Sequence, residues 1–235
     1  MKKIINTFRA DATNAGDWYS APLKYFDFFN YDKEYYDFLD PPRKKIQSDV
    51  LIIGGGGLVA TEEWFNLLIY WRNIVNAKIY ILWGIGIDKE YQNPKLLKLF
   101  DLVGIRQKGT IFNFVPCASC LHPVFDKHID NDGTGDVIIS HWKRIIPNSN
   151  FTNHDPFEEN IKRISSATKV ITTSYHIWYW AKLLKKDVII YNSNNFKKPL
   201  AQKMFTLPNK INIEDCRSIN INFAKKITNL IKEKE

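Results

Sequence analysis

Three side chains suited to handling an anion and a proton each stand just past an apolar run. Arg106 follows Leu102–Ile105, His176 follows Val170–Thr173, and Asp17 lies in the loop after Lys3–Phe8. A guanidinium grips carboxylate or phosphate through its planar fork. An imidazole switches between donor, acceptor and acid near neutral pH, and a carboxylate deprotonates a hydroxyl or orients it. His176 sits in Thr173-Ser-Tyr-His176, a strand-to-helix turn, where the first amides of a helix are free to meet an anion. Asp17 sits in Asn14-Ala-Gly-Asp-Trp-Tyr-Ser-Ala-Pro22, a flexible Asn/Gly/Asp loop ahead of a helical run.

Four consecutive glycines, Gly54–Gly57, end the apolar stretch Val50–Ile53. No Gly-Lys-Ser/Thr follows, so this is not a P-loop, and Val59 breaks a dinucleotide fingerprint. One glycine usually suffices for a turn, so four predict a backbone that a ligand approaches closely. Cys117-Ala-Ser-Cys-Leu-His122 resembles half a zinc site, but no second Cys-x-x-Cys exists to complete four ligands. Buried thiols are the expected state of these cysteines.

The elements that must position these residues alternate. Strands are expected at Lys3–Phe8, Val50–Ile53, Lys78–Trp83, Leu102–Ile105, Ile111–Val115, Val137–Ser140, Val170–Thr173 and Val188–Tyr191. Between them, Thr61–Asn76 carries Trp64, Leu67, Leu68, Trp71, Ile74 and Val75 on one helical face. A helix is expected after Asp155-Pro-Phe-Glu158, with Asp155 as N-cap and Pro156 at the first helical position. Another follows Tyr175, and a last one spans Ile219–Lys232. Strand–helix alternation predicts an α/β fold with mostly parallel sheets, whose ligands sit at the carboxyl ends of the strands. The polar, glycine-containing Asp130–Asp136 predicts a boundary between a first domain, 1–130, and a second, 131–235, with the last helix packing back on the first.

The net charge of +8 suits an anionic ligand, an anionic membrane surface or nucleic acid. The basic residues are scattered and no nucleic-acid-binding signature is present, so a nucleic-acid partner is not expected. No apolar run reaches the ~20 residues of a membrane span. Three cysteines form no disulfide framework, and a cytoplasmic location is expected.

In order and spacing, Asn14-x-Gly16-Asp17, Asp49–Ile53 with Gly54–Gly57, Arg106 with its following Gly109-Thr110, and Ser174-Tyr-His176 resemble the polysaccharide pyruvyltransferase family along most of the chain. The resemblance implies a GT-B-like fold, two Rossmann-like domains facing a cleft. It also implies transfer of pyruvate from phosphoenolpyruvate to a pair of sugar hydroxyls, as in capsule or exopolysaccharide biosynthesis. The donor is a substrate, and no cofactor or metal is implied. The acceptor would be a sugar or lipid-linked oligosaccharide, with peripheral contact at the inner membrane surface. Carried onto this sequence, His176, Arg106 and Asp17 would be catalytic. Asn14, Gly16, Gly54, Gly55, Gly56, Gly57, Ser174, Tyr175, Lys143 and Lys197 would bind substrate. His176 would act as general acid or hydrogen-bond the departing phosphate. The family often carries an arginine two residues before the late histidine. Ser174 stands there, so the anion grip is expected from Arg106, the helix start and Lys143, Lys197 or Lys198. Two alternatives share this cleft: a glycosyltransferase with a nucleotide-sugar donor, and a non-catalytic glycan-assembly protein.

Overall fold

The computed structural model describes residues 2–28, 30–88, 91–129, 131–192 and 211–234. Lys197 and Lys198 lie outside them. Among the described residues the chain forms a mixed α/β structure with two main sheets, and every pairing in both is parallel. No helix among them is long and apolar enough to cross a membrane.

The first sheet has six strands in the order β2 (Tyr31–Asp37), β1 (Lys2–Phe8), β4 (Val50–Gly54), β6 (Ile79–Ile85), β7 (Leu102–Ile105) and β8 (Asn113–Phe114). Its central strands β4, β6 and β7 are mainly apolar because both faces are covered, while β1 buries Asn6 and Thr7 among its apolar residues. Ile5, Leu51, Ile53 and Leu82 pack with Leu68 and Trp71 of α2 (Glu62–Ile74). Ile4, Val50, Ile52, Ile81 and Trp83 form the opposite face. A two-stranded ladder, β3 (Ile46–Gln47) with β5 (Val75–Asn76), flanks this sheet. Short helices α1 (Ala15–Trp18) and α3 (Leu96–Leu99) follow β1 and precede β7.

The second sheet has four strands, β10 (Phe151–Thr152), β9 (Asp136–Ser140), β11 (Lys169–Thr172) and β12 (Asp187–Ile190) in that order. Helices α4 (Phe157–Ser165) and α5 (Tyr175–Leu183) cover it. Cys117, Cys120, Val124 and Phe125 belong to this core, so the chain changes layer soon after β8, ahead of the polar 131–135 segment. The last helix, α6 (Ile213–Lys234), serves both layers. Ile213 and Cys216 pack in the second core, while Phe223, Ala224, Ile227 and Ile231 pack under the first sheet.

Three local expectations are corrected. Pro156 takes the N-cap position of α4, because the Asp155 carboxylate is engaged 2.6 Å from Arg163. Helix α6 begins six residues before the expected start, with Asn220 on its buried face accepting a hydrogen bond from Trp83 Nε1 at 2.9 Å. Strand β2 was not expected at all, since its Tyr-Asp-Lys-Glu-Tyr-Tyr-Asp sequence lacks apolar alternation. It forms an edge, where charged residues are tolerated.

Candidate functional site

The carboxyl ends of strands from both sheets surround one cavity of about 330 Å³. Asn14 and Asp17 reach it from the loop after β1, Gly57 from the turn after β4, and Arg106 directly after β7. The second sheet contributes His141, Lys143 and Arg144 after β9, Asn153 after β10, and Thr173–His176 after β11. Trp64, at the first turn of α2, completes the wall; Thr61 caps that helix by accepting from Trp64 N at 3.3 Å.

The first sheet makes room for charge with glycine. Gly86 N donates to Gly56 O at 2.8 Å, and Val59 N donates to Gly86 O at 3.0 Å, which fastens the β4 turn to the end of β6. A side chain at Gly86 would lie 2.5 Å from Arg106 Nε, so the guanidinium crosses the backbone there. Its flat face lies 3.6 Å from the Tyr175 ring centre. Arg106 is only 2% exposed, yet its Nε and Nη1 are buried without a hydrogen-bond partner, and it forms no ion pair among the described residues.

The glycine run divides in role. Gly57 alone of the four lines the cavity. Gly54 packs on the Trp83 carbonyl, and Gly55 (φ 95°) is pressed against the Ser20 carbonyl, 2.4 Å from where a Cβ would stand. At Gly56 (φ 82°) a Cβ would come within 3.1 Å of Asp17 Oδ1. The expectation that all four line the ligand cleft is therefore corrected: the first three allow β4, β6 and the Asp17 loop to approach one another. Gly16 is likewise a packing residue, since a Cβ there would fall 2.1 Å from His176 Nδ1.

A polar relay ties the two layers together beside Arg106. Asn14 Nδ2 donates to Asp17 Oδ2 at 2.8 Å, Asn153 Nδ2 donates to Asn14 Oδ1 at 3.0 Å, and Asn153 Oδ1 accepts from Trp142 N at 2.8 Å. Asn14 heads α1 but leaves it without a side-chain cap, its amide being used in this relay. Burial raises the Asp17 carboxyl to about 6, with Arg106 and Arg9 opposing the rise. It is thus poised to exchange a proton near neutral pH.

His176 is 6% exposed, with Nε2 3.7 Å from Cys117 Sγ. Burial first, then the charge of Arg106, drives its pKa well below the usual histidine range. That shift favours the neutral imidazole, which suits the expected role of hydrogen-bonding a phosphate. Burial and Arg144 also hold His141 neutral, lowered to about 4.

Of the residues expected at the site, Asn14, Asp17, Gly57, Arg106, Lys143, Ser174, Tyr175 and His176 share this cavity. Gly16 and Gly54–Gly56 stand behind its wall. Sequence reasoning missed His141, Arg144, Asn153 and Trp64 as site residues. The one available signal was position: His141 and Arg144 follow β9 as Arg106 follows β7.

Fold and cavity define a parallel α/β protein with a basic pocket at its strand ends. No family model and no curated protein matches the chain. Among solved structures, a functionally uncharacterized protein from Klebsiella pneumoniae subsp. pneumoniae NTUH-K2044 is similar at 16% identity, with a TM-score of 0.49 over 83% of this chain and 85% of that one.

Proposed function

We propose that the protein is a pyruvyltransferase-like enzyme that takes pyruvate from phosphoenolpyruvate and forms a ketal on two hydroxyls of a sugar. The observation that carries this reading is the buried Arg106 guanidinium, whose Nε and Nη1 make no hydrogen bond, in the same cavity as the Asp17 carboxyl with its raised pKa. Tyr175 stacks on the guanidinium but leaves those hydrogen bonds unmade, which is costly in a buried group, and an anionic donor would supply them. On this reading the two sheets are two Rossmann-like units of a GT-B-like arrangement, divided near residue 130, in a cytoplasmic protein that meets its acceptor at the membrane surface.

Arg106 and the amides at the start of α5 would hold the donor's anionic groups, and His176 would orient a phosphate oxygen as a neutral donor. Asp17 would take the proton of an attacking sugar hydroxyl. The balance closes within the reactants: one hydroxyl proton ends on the donor methylene, which becomes methyl, and the other leaves with inorganic phosphate. Electrostatic preorganisation by fixed cations suits this charge movement.

The test is ³¹P NMR of phosphoenolpyruvate with the protein and a panel of free and lipid-linked sugars. Phosphate release that depends on acceptor, together with a new ketal methyl signal, is expected. Binding of nucleotide sugars with no response to phosphoenolpyruvate would replace this reading with glycosyl transfer.

A further inference from the structure

We infer that Arg144 is a second anion-binding residue of this cavity, so that a phosphorylated ligand is gripped by guanidinium groups from both sheets, and that Thr173 is the positioning residue that sets Arg144 in place. This rests on the reading that the cavity binds an anion.

Arg144 lies in a tight turn after β9. Its N–H donates to His141 O at 2.7 Å, and His141 and Arg144 form an isolated antiparallel bridge. Thr173, in the loop between β11 and α5, closes this turn from outside. Its hydroxyl accepts from His141 N at 2.8 Å and donates to Arg144 O at 2.7 Å. One buried hydroxyl thus fixes both ends of the turn against the residue that precedes the first cap of α5. Within the turn, Lys143 N donates to His141 Nδ1 at 3.1 Å. The result is a rigid mount for a long cationic side chain at a helix start.

Arg144 is partly buried and lines the cavity, and among the described residues its side chain has no hydrogen bond or ion pair. Arg106, nine-tenths buried and more, is in the same condition on the facing wall. With Lys143 the cavity carries three cationic side chains against the single carboxyl of Asp17. Burial lowers the Arg144 pKa, which marks a charge partly stripped of water and not yet repaid. An ordinary surface arginine needs neither the clamped turn nor the partial burial. The arrangement also answers the serine at position 174: the second guanidinium comes from another loop of the same strand-end layer.

The test is isothermal titration of the full chain with inorganic phosphate and, separately, with phosphoenolpyruvate. Arg144→Ala should weaken both by about ten- to a hundredfold, the range for a lost charged hydrogen bond. Arg144→Lys should recover part of this, because an ammonium lacks the fork. Thr173→Val should weaken phosphate binding with Arg144 intact, and Thr173→Ser, which keeps the hydroxyl, should restore it. Circular dichroism melts of each variant establish that the fold persists, Thr173→Ala gives the same reading should Thr173→Val unfold, and a folded hydroxyl-less variant that binds phosphate as wild type would overturn the positioning role of Thr173. Phosphate affinity unchanged in Arg144→Ala but lost in Arg106→Ala would overturn the role of Arg144 alone. A wild-type protein that binds neither probe would overturn this inference and the reading beneath it.

Discussion

The two strand-end walls of the cavity are built by opposite means. The first sheet removes side chains: Gly54–Gly56 and Gly86 bring backbones together, and the space left is filled by one buried cation, Arg106. The second sheet adds small polar side chains: Ser140, Asn153, Thr172 and Thr173 pin its loops through bonds of 2.6–3.0 Å. The first solution is rigid because nothing else fits. The second is rigid because each hydroxyl or amide has a fixed partner. Damage to the two walls should therefore differ in kind, with steric and folding failures on the glycine side and graded losses of alignment on the hydroxyl side.

Gly55→Val should cause the largest effect. It forces a β-branched residue into positive φ and against the Ser20 carbonyl, costing about 1–3 kcal/mol in backbone strain and a similar amount in overpacking. A urea titration that found wild-type stability would break the account of this wall. Arg106→Met separates stability from function. Removing a buried guanidinium with unmade hydrogen bonds should leave the melting temperature equal or higher, while phosphate affinity falls by about 1.5–3 kcal/mol. A marked drop in melting temperature would assign Arg106 a structural role instead.

On the opposite wall, Asn153→Ala leaves Trp142 N and Asn14 Oδ1 without their partner and should cost about 1–3 kcal/mol of stability. Its sharper signature is kinetic, because the relay from Trp142 through Asn14 to Asp17 is cut. Asp17 itself gives the most specific signal. Its folded pKa of about 6 lies above the ordinary carboxylate value of 3.8, so the folded state favours the protonated form. The stability this contributes is full below the ordinary value and is lost as pH rises through about 6. Carboxyl NMR titration should show this midpoint, bound phosphate should move it upward, and Asp17→Asn should flatten the matching step in stability. A midpoint near the ordinary value would remove Asp17 as the proton-exchanging group.

The same contrast explains what the sequence disclosed. Strand ends were legible because β4, β7 and β11 are short apolar runs stopped by glycine, arginine or hydroxyl residues. Parallel topology then sends those ends to one edge, which is why Asp17, Arg106 and His176 meet although far apart in the chain. The glycines misled because close approach of backbone to backbone and of backbone to ligand leave the same mark in a sequence. Arg144 was hidden because its placement depends on Thr173, a contact made 29 residues away. The charge state of His176 was equally hidden, since burial sets it and no neighbour in sequence reports burial. Strand β2 escaped because its pairing with β1, from Lys2 opposite Tyr31 to Phe8 opposite Asp37, rests on backbone bonds with little apolar pattern.

Helix α6 has a consequence for the order of events during synthesis. Its first turns complete the core of the second sheet and its later turns complete the underside of the first. The second layer can be sealed once residues near Cys216 have left the ribosome and the first only when those near Ile231 follow, although every described strand emerged earlier. Domains made by a ribosome usually finish in sequence, the earlier one first. Here the earlier sheet must wait, its Ile4, Ile52 and Trp83 face open, until the later turns of α6 follow those that complete the second layer.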